Sequence, residues 1–462
     1  MTFLRLLVCM CLLAFPAVAK PKFGLILVDD FSMNLMPRPV LGNMPQLARM
    51  MREGMTFNNY FVTNSLCCPS RASIFTGLLP HNSGVLNNVP PFGGQKAFTA
   101  HGNEAKVFAL PLQAAGYNTA FMGKYLNGWI PDISPIPPGW NNWVSTHNGY
   151  KAFGYTLNHN GVLSSPPDHF TDLISGMARR WLTWQRLPFF LELAPFSPHF
   201  PYVPAVRHEA LFLDAVLPKT PAFGARPDAN APDWLQVVPA LTATNKAAMK
   251  HNYVLRLQAD KTIDEMIGAV RKKLETIGIA DTTYVIFTSD NGYHMGEFSL
   301  RPGKQTPFDV DIKVPFVIVG PGIAPGSRSD RLTMNVDIFP TLLELAGVPV
   351  PTTIDGRSMF TGSGRTMAVI EHHGGSSDPS DPDFTEPLAG DPPSYTALRM
   401  ATSMYVEYET GEVGYYDMTT DPHQLHNIAA SLSPARKAEL HDAVVANSNC
   451  AGSVECGAAQ NR

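Results

Sequence analysis

Two continuous apolar segments, each followed at once by acidic or amide side chains, constrain the fold of this chain most strongly. Phe23–Val28 runs into Asp29–Asp30, and Thr283–Thr288 runs through Ser289 into Asp290–Asn291. Uninterrupted hydrophobicity, as opposed to alternation, is typical of parallel strands that helices cover on both faces. In open α/β sheets the ligand site lies just beyond the carboxyl ends of such strands. The sequence therefore predicts an α/β sheet with a polar site at one edge.

Three further segments extend this prediction. Val314–Val319 is a third apolar run, which is predicted as another buried strand of the same kind. Apolar residues recur at near-helical spacing over Val254–Leu274, which predicts a helix that leads through Gly278 into the second strand. Another helix is predicted over Asp337–Leu345.

The pattern changes after about residue 350. Tyr395–Tyr408 and Gly411–Asp417 have the composition of short strands joined by a turn, and a helix is predicted from Ser433 to about Asn447. We therefore expect residues 20–350 to form the main domain and residues 351–462 to form a smaller α+β subdomain. A chain of 462 residues that is 45% hydrophobic supports a core of this size.

The amino terminus has the pattern of a secretory signal peptide over residues 1–19. Arg5 supplies the positive charge, Leu6–Phe15 is the apolar stretch, and Ala17–Ala19 is a small-x-small cleavage site. The apolar stretch is too short to cross a bilayer, and Pro16 ends it. We expect an exported protein, periplasmic or secreted, without a membrane span.

The overall charge gives no indication of nucleic-acid binding. Lysine and arginine total 35 against 39 aspartates and glutamates, for a formal net charge of −4. Proteins that follow a phosphate backbone carry a basic excess or a basic stripe. An anionic ligand would therefore have to be attracted by a local cluster of cations.

Four cysteines remain once the signal peptide, with Cys9 and Cys11, is removed. Cys450 and Cys456 lie six positions apart in the tail, where an exported protein can oxidise them to a disulfide. Cys67 and Cys68 are adjacent, a spacing that rarely permits a disulfide because its geometry is strained. This second pair needs a different explanation.

The segment that begins at this second pair carries the most specific motif of the chain. Cys67–Arg71 reads Cys-Cys-Pro-Ser-Arg, and Thr76–Gly77 follows after four further residues. The segment resembles the signature of the type I sulfatases, Cys-x-Pro-Ser-Arg, four residues and Thr-Gly, at every fixed position. The resemblance implies an alkaline-phosphatase-like mixed sheet flanked by helices, and a maturase that converts Cys67 to formylglycine. The alternative interpretation is a buried thiol pair at the start of a helix.

The residue types of the motif suit attack on an anionic ester. A helix predicted over residues 68–79 would bring the partial positive charge of its first turn to the nucleophile, and Arg71 can bind sulfate oxygens in a forked geometry. In the family, hydrated formylglycine attacks sulfur with one hydroxyl, and the other then loses its proton and expels sulfate. This is covalent catalysis that regenerates the aldehyde.

The side chains that follow the two strands form a candidate metal site. Asp29, Asp30, Asp290 and Asn291 offer hard oxygen ligands, which favour Ca²⁺ or Mg²⁺ over zinc. The resemblance implies the same four residues as ligands, together with an oxygen of modified residue 67, and favours calcium. Taken without the motif, the same residues are more typical of helix caps and turns.

Four further residues match catalytic positions of the resembled family. Lys124 and Lys304 match its sulfate-binding lysines, and His199 matches the histidine that protonates the leaving oxygen. His294 lies beside the metal segment. Many sulfatases place a histidine two residues after the first lysine, where this chain has Leu126. Asn127, His294 or water therefore remain alternatives for the base that opens the sulfated intermediate.

Several longer stretches resemble the branch of the family that acts on N-acetylglucosamine 6-sulfate. They include Leu66–Ile74, Gly123–Asn127, Pro137–Trp140 and Gly292–Leu300. The resemblance implies that a sulfated sugar or glycosaminoglycan is the substrate. Loops over residues 131–170 and 195–240 are rich in aromatic and amide side chains suited to a sugar ring, namely Trp140, Trp143, His147, Tyr150, Asn158, His159 and Trp234. Each of these is equally compatible with a loop anchor in a small satellite core.

Two other functions remain compatible with the sequence. The same fold hosts hydrolases of phosphate and phosphonate esters, so a different ester is one alternative. A sulfated-glycan-binding module whose Cys67 is never oxidised is the other, although the complete set of catalytic residue types argues against it.

Overall fold

The computed structural model describes residues 20–33, 42–147, 150–362, 364–374, 384 and 386–462. The predicted signal peptide, with Cys9 and Cys11, lies outside these residues. None of the helices in the described ranges combines the length and the apolar character that a bilayer span requires.

A large mixed sheet organises the main domain. Its strands in chain order are β1 (Lys22–Val28), β2 (Met55–Phe61), β3 (Asn118–Gly123), β4 (Asn142–Thr146), β5 (Leu157–His159), β6 (Val162–Ser164), β7 (Phe189–Ala194), β8 (Thr283–Ser289), β9 (Phe316–Val319) and β10 (Ser327–Met334). Within the described residues the spatial order is β10-β2-β9-β8-β1-β7-β3-β4-β5-β6. The five strands from β8 to β4 run parallel, and β1 lies between β7 and β8.

The structure confirms two of the three predicted strands and corrects the direction of the third. β1 and β8 pair in parallel, with Val28 opposite Ser289, so their carboxyl ends meet. β9 was predicted to be parallel, but it is antiparallel to both β8 and β2. The chain leaves β8 at the carboxyl edge and returns from that same edge, whereas a parallel strand would need a crossover back to the opposite edge.

Helices cover both faces of the sheet. They are α1 (Pro45–Glu53), α2 (Cys67–Thr76), α3 (Pro80–Ser83), α4 (Gly94–Ala100), α5 (Ala109–Ala114), α6 (Phe170–Thr183), α7 (Asp233–Gln236), α8 (Ala243–Thr276), α9 (Asp309–Ile312), α10 (Ile338–Ala346), α11 (Pro434–Asn449) and α12 (Gly452–Ala459). Short 3₁₀ turns lie at Asn103–Lys106, Val206–His208, Ala280–Thr282, Asn335–Asp337, Pro387–Ala389 and Ala429–Ser431. Along β1, Leu25 and Leu27 join the core beneath α2 and α10, and Ile26 and Val28 join the core beneath α1, α6 and α8. The strand is apolar throughout because both of its faces are buried.

The two predicted helices are present with slightly different bounds. α8 extends the predicted Val254–Leu274 in both directions and begins at a capping box, in which Thr242 and Asn245 each bond the other's backbone N–H. It leads through Gly278, in a left-handed conformation with φ of 72°, into β8. α10 ends at Gly347, which is also left-handed, as the sequence predicts.

The carboxyl-terminal subdomain is a small antiparallel sheet with helices. Its strands are β11 (Met367–His372), β12 (Tyr395–Met400), β13 (Ser403–Tyr408) and β14 (Val413–Asp417), in that spatial order. Their apolar side chains, with those of α11, continue the core on the α2 face of the large sheet. The predicted disulfide between Cys450 and Cys456 is present. The predicted first strand, Tyr395–Tyr408, is in fact two strands, β12 and β13, joined by a tight turn.

A partly buried ion pair ties this subdomain to the segment that follows α2. His81 Nδ1 lies 2.6 Å from Glu371 Oε1, and His81 Nε2 lies 2.9 Å from the carbonyl oxygen of Cys450. Burial lowers the pKa of His81, but its contacts with Glu371 outweigh burial and raise the pKa to about 9. His81 is therefore charged at neutral pH and anchors the signature segment to both β11 and the disulfide.

Candidate active site

The ends of β1 and β8 bring the predicted acidic residues together. The backbone N–H of Asp290 donates to Val28, and Asp290 Oδ1 accepts from the backbone N–H groups of Asp30 and Asn291 at 3.2 and 2.8 Å. Asn291 Nδ2 donates to Asp30 Oδ1 at 2.6 Å. Asp30 adopts a left-handed φ of 61°, which is rare outside glycine and points to local strain held by its surroundings. All of these side chains are completely buried.

Helix α2 delivers Cys67 to the same cluster. Cys67 Sγ lies 3.5 Å from Asp29 Oδ1. Every residue of the helix is buried, so its polar side chains need internal partners. Ser70 Oγ accordingly donates to the carbonyl oxygen of Asp290, and Asn88 Oδ1 accepts from the backbone N–H of Cys68 at 2.9 Å.

The helix is shorter at its carboxyl end than the predicted span of residues 68–79. Gly77 takes a left-handed φ of 68° and its N–H closes on the carbonyl oxygen of Ser73 at 2.9 Å, so α2 ends at Thr76. The glycine of the motif is thus the C-cap of the helix. A side chain at this position would also collide with Phe339.

Three cations from separate elements surround the carboxylates. Arg71 Nε lies 2.8 Å from Asp290 Oδ2, and its Nη1 donates to the carbonyl oxygen of Lys124 at 2.8 Å. Lys124 Nζ lies 2.6 Å from Asp29 Oδ2. Lys304 Nζ donates to Cys67 Sγ at 2.8 Å and lies 2.9 Å from one oxygen of Asp30. The structure therefore places both predicted lysines and Arg71 around Cys67.

Gly123 allows Lys124 to enter the site. It ends β3 with φ of 146°, and a Cβ atom there would lie 2.0 Å from the carbonyl oxygen of Ala194. That oxygen instead accepts the backbone N–H of Lys124 at 2.7 Å. Glycine is required because β3 and β7 approach this closely at the point where Lys124 leaves the sheet.

His199 lies at the entrance to the cluster. Its Nε2 is 3.4 Å from Lys304 Nζ and 3.5 Å from Asp30 Oδ2, and its Nδ1 is 2.7 Å from the carbonyl oxygen of Phe200. The ring of Tyr150 stacks on it with a centroid separation of 3.7 Å. Tyr150 Oη also accepts from Lys124 Nζ at 3.0 Å, so it links the histidine to the lysine.

His294 contacts a different partner. It is buried, and its Nδ1 lies 2.9 Å from Asp311 Oδ2. The same oxygen accepts from the backbone N–H and the hydroxyl of Thr306, at 3.1 and 2.6 Å. The backbone of His294 also pairs with that of Gly303. His294 thus adjoins the segment that carries Lys304.

Asn127, His294 and water were the alternatives to the missing histidine, and Asn127 contacts the cluster through Tyr150. Leu126 is buried in the apolar core. Asn127 Nδ2 donates to Tyr150 Oη at 3.4 Å. The amide therefore contacts the same hydroxyl as Lys124 does.

The charged groups of the cluster shift the pKa values of its carboxylates. Burial alone would raise the pKa of Asp29, but Lys124, His199 and Arg71 together hold it below its ordinary value. Burial and the nearby charge of Asp29 raise the pKa of Asp290 despite Arg71. A concentration of buried carboxylates of this kind is typical of sites that bind a cation.

Two buried oxygens support a metal site on independent grounds. Asp30 Oδ2 and Asn291 Oδ1 have no hydrogen-bond partner among the described residues. Ligand atoms of Asp29, Asp30, Cys67 and His199 lie within 4.8 Å of one another. The hard oxygens of this cluster therefore fit a divalent cation of the Ca²⁺ or Mg²⁺ type.

The aromatic loop residues divide into two groups. Trp143 stacks on Phe121 at 4.7 Å in the core, and Trp140 and Trp234 are partly buried against that core. Trp143 has no exposed surface and is therefore a core residue, whereas Trp140 and Trp234 keep part of their surface exposed and pack their loops against that core. Tyr150, in contrast, contacts Lys124 and His199 of the cluster.

Sequence reasoning missed residues that support the site from a distance. Arg256, on α8, donates from Nη2 to the carbonyl oxygen of Asp30 and packs on the ring of Tyr293 at 4.6 Å. Asn335 Nδ2 donates to Ser70 Oγ at 2.8 Å. Neither has a local sequence signal, since the partners are 226 and 265 positions apart.

Comparisons with known proteins agree with the motif. A family model described as Sulfatase matches residues 21–348. The N-acetylglucosamine-6-sulfatase of Capra hircus is 31% identical over 478 residues, covering 94% of this chain and 84% of the relative. The extracellular sulfatase SULF-1 homolog of Drosophila melanogaster is 34% identical over 352 residues, covering 74% of this chain and 31% of the relative.

A solved structure supports the fold. It is described as a complex with its substrate D-glucosamine-2-N,6-O-disulfate, and it superposes with a TM-score of 0.75. The match has 23% sequence identity and covers 92% of this chain and 97% of that one. The expected alkaline-phosphatase-like architecture with a carboxyl-terminal subdomain is confirmed.

Glu192 is a buried carboxyl close to this cluster with no hydrogen-bond partner among the described residues. It lies on β7, opposite Leu25 of β1 and Phe121 of β3, and both of its carboxyl oxygens are buried. Burial raises its pKa to about 8, against a smaller opposing effect of Arg71. The folded protein therefore holds a proton on Glu192 that the unfolded chain releases above about pH 4.5.

We expect Glu192→Gln to remove a pH-dependent destabilisation. Because the folded-state pKa is raised, wild-type stability should fall as pH rises from about 4.5 to about 8. The variant should be more stable than wild type at pH 8, by at least about 1 kcal/mol, with the difference vanishing near pH 4.5. Urea unfolding at both pH values measures this. Glu439→Gln, at an exposed carboxyl, is the matched control, and equal effects of the two variants would contradict the assignment.

Proposed function

The chain belongs to the sulfatase family, whose members hydrolyse sulfate esters, and we propose that its substrate is the 6-O-sulfate of N-acetylglucosamine, in a glycosaminoglycan or as the released sugar. The observation that carries this proposal is the resemblance to a named N-acetylglucosamine-6-sulfatase over 94% of the chain. The cluster around Cys67 supports the reaction, because it combines a nucleophile position with cations that can bind an anionic ester.

We propose that Cys67 acts after conversion to formylglycine by a maturase. Its side chain starts α2 and lies within 2.8 Å of Lys304 Nζ and 3.5 Å of Asp29 Oδ1. The hydrated aldehyde supplies a hydroxyl for attack on sulfur and a second hydroxyl whose deprotonation releases sulfate. The positive end of the α2 dipole and the charge of Lys304 favour negative charge at this position.

A divalent cation is proposed to bind Asp29, Asp30, Asp290, Asn291 and an oxygen of modified residue 67. When bound, calcium (or magnesium) supplies electrostatic stabilisation of the sulfate oxygens. The oxygens of Asp30 and Asn291 that lack hydrogen-bond partners support this ligand set. Asp290 also binds Arg71 through its second oxygen. It therefore links the proposed metal site to a side chain that is proposed to bind the sulfate.

Arg71, Lys124 and Lys304 are proposed to bind the sulfate. Each already contacts a carboxylate of the cluster, so each is held in a fixed orientation before substrate arrives. Preorganised cations of this kind stabilise a developing charge without further rearrangement. We assign His294 a positioning role, because Asp311 binds both His294 and the segment that carries Lys304.

His199 is proposed to protonate the departing alcohol. Its Nδ1 can donate to the carbonyl oxygen of Phe200, which leaves Nε2 as the nitrogen that faces the cluster. Asp30 Oδ2 and Lys304 Nζ lie 3.5 and 3.4 Å from Nε2, and Tyr150 stacks on the ring and holds its plane. This is the arrangement that a general acid requires.

We also propose that the protein is exported to the periplasm or the exterior. The signal-peptide pattern of residues 1–19 supports this, and one relative is named as an extracellular sulfatase. The division into a catalytic domain over 20–350 and a subdomain over 351–462 is proposed alongside, since the family match ends at residue 348.

We expect the wild-type protein to desulfate N-acetylglucosamine 6-sulfate faster than galactose 6-sulfate or a 2-O-sulfated uronic acid. Cys67→Ala should abolish turnover of all three, because no nucleophile remains. Cys67→Ser should also turn over poorly, because its ester lacks the second hydroxyl that expels sulfate. Comparing kcat/KM across the three sugars measures the preference.

Mass spectrometry of the peptide that contains Cys67 provides the parallel test of the modification. Active material should contain formylglycine at this position. Full activity with an entirely unmodified thiol would contradict the mechanism. A preference for galactose 6-sulfate would contradict the proposed substrate and leave the sulfatase assignment intact.

Metal content should depend on Asp30. Asp30→Asn keeps the size of the side chain but removes a ligand charge, so the bound divalent cation should be lost together with activity. Asp260→Asn, at a carboxyl that is equally buried on α8, should retain it. Elemental analysis after gel filtration compares the two variants, and unchanged metal in Asp30→Asn would exclude this ligand.

His199→Ala should discriminate between leaving groups. A sugar hydroxyl leaves poorly without a proton, whereas an activated phenol needs none, and general acid catalysis contributes about 10²–10⁴-fold. We therefore expect kcat on N-acetylglucosamine 6-sulfate to fall by about that factor, with little change on an activated aryl sulfate. Equal losses on the two substrates would indicate a role in binding.

A further inference from the structure

A pocket with apolar and polar walls lies at the carboxyl edge of the sheet, next to the segment that carries Tyr150. It has a volume of about 320 Å³ and is lined by Pro131, Asp132, Thr146, His147, Lys151 and Leu163, among others. None of these residues contributes to the mechanism above. The volume is near the lower limit for ligand pockets, about 300–1,000 Å³, which suits one sugar residue.

The sheet places this pocket next to the catalytic cluster. β3 and β4 run parallel with Gly123 opposite Ser145, so Lys124 and Thr146 leave neighbouring strands at the same edge. Adjacent strands are about 4.8 Å apart, which sets the spacing between these two positions. Tyr150 contacts Lys124 and His199, and the next residue, Lys151, lines the pocket.

The pocket contains polar groups whose bonding within the protein is incomplete. Thr146 is 3% exposed, and its hydroxyl has no hydrogen-bond partner among the described residues. Leaving a buried hydroxyl without a partner is costly, so this wall of the pocket lacks a hydrogen-bonding group to pair with it. Lys151 is exposed and forms no ion pair within the described part of the chain.

The walls of the pocket are already in place. Asn158 Nδ2 donates to the carbonyl oxygen of Pro131 at 2.6 Å, which fixes the loop that carries Asp132. Asn158 is paired with Leu163 across the β5–β6 hairpin, and Leu163 offers an exposed apolar face. A preformed pocket with an apolar face and several polar groups matches the requirements of a sugar ring.

We propose that this pocket binds the neighbouring sugar residue of an oligosaccharide whose sulfated residue lies at Cys67, and that Lys151 recognises an anionic substituent on that neighbour. The proposal rests on the proposed function, and it adds a binding site for the residue next to the sulfated sugar. Lys151 and His147 supply donors for a carboxylate or a sulfate, which have the same recognition chemistry. Asp132 and Thr146 can bond ring hydroxyls.

Four substrates test the proposal: N-acetylglucosamine 6-sulfate alone, and the same sugar linked to a uronic acid, to a neutral hexose or to a 2-O-sulfated hexose. Lys151→Gln should raise KM for the two acidic disaccharides by about three- to tenfold with kcat unchanged. Its KM values for the monosaccharide and the neutral disaccharide should not change. The larger of the two acidic effects identifies carboxylate or sulfate as the preferred anion.

Two further variants complete the experiment. Thr146→Val has nearly the same size and removes only the hydroxyl, so it should raise KM for all three disaccharides and leave the monosaccharide unaffected. Lys437→Gln, at an exposed lysine of α11, is the charge-matched control and should change none of these values. Thermal unfolding of each variant verifies that the fold is retained.

The failures of the two proposals are distinguishable. If wild type hydrolyses neither the monosaccharide nor an activated aryl sulfate, the proposed function is wrong. If it hydrolyses the monosaccharide but Lys151→Gln affects the neutral and acidic disaccharides equally, or affects neither, the anionic subsite is wrong. An effect of Lys151→Gln on the monosaccharide would also overturn it, because the pocket would then belong to the catalytic site.

Discussion

Three carboxylates, those of Asp29, Asp30 and Asp290, lie completely buried where two parallel strands end side by side. Charges removed from water are costly unless each is paired. The chain pairs them with Arg71 from α2, Lys124 from the end of β3 and Lys304 from the loop after β8. These ion pairs therefore connect several elements of the main domain at one place. Removing any one of the cations would leave a buried charge without its partner.

The same balance explains how an acidic site can accept an anion. Three carboxylates against three cations leave the cluster close to neutral before any ligand binds. A divalent cation would then create a local positive excess, which a sulfate ester offsets. The net charge of −4 on the whole chain is irrelevant to this step, because attraction at the site depends on the nearest charges.

The parts of the fold that the sequence predicted are those that local patterns determine. β1 and β8 were recognisable because each is apolar throughout and ends abruptly in acidic and amide residues. The direction of β9 was not recognisable from the sequence, because it depends on the edge of the sheet at which the preceding loop enters the strand. The end of α2 was placed too late because the prediction extended past Gly77, the residue that caps the helix.

The candidate site shows the same division. The motif and the strand ends indicated Cys67, Arg71 and the acidic residues, and the structure brings these together. The supporting contacts of Arg256 and Asn335 join residues more than two hundred positions apart, and no short sequence pattern predicts them. The role of Tyr150 was also hidden, because a loop aromatic that stacks on a histidine has the same sequence as one that fills a core.

The complete burial of Cys67 limits when an enzyme can modify it. Its side chain has no exposed surface, and the cluster around it closes only when β8 pairs with β1 across some 260 positions of chain. Sheets built from such distant segments assemble slowly, because a long loop must close before its contacts form. If Cys67 is modified as proposed, the maturase would have to reach the thiol while the chain is still open. The wide separation of the two strands would prolong that interval, and the proposed modification would then depend on the order of events along the nascent chain.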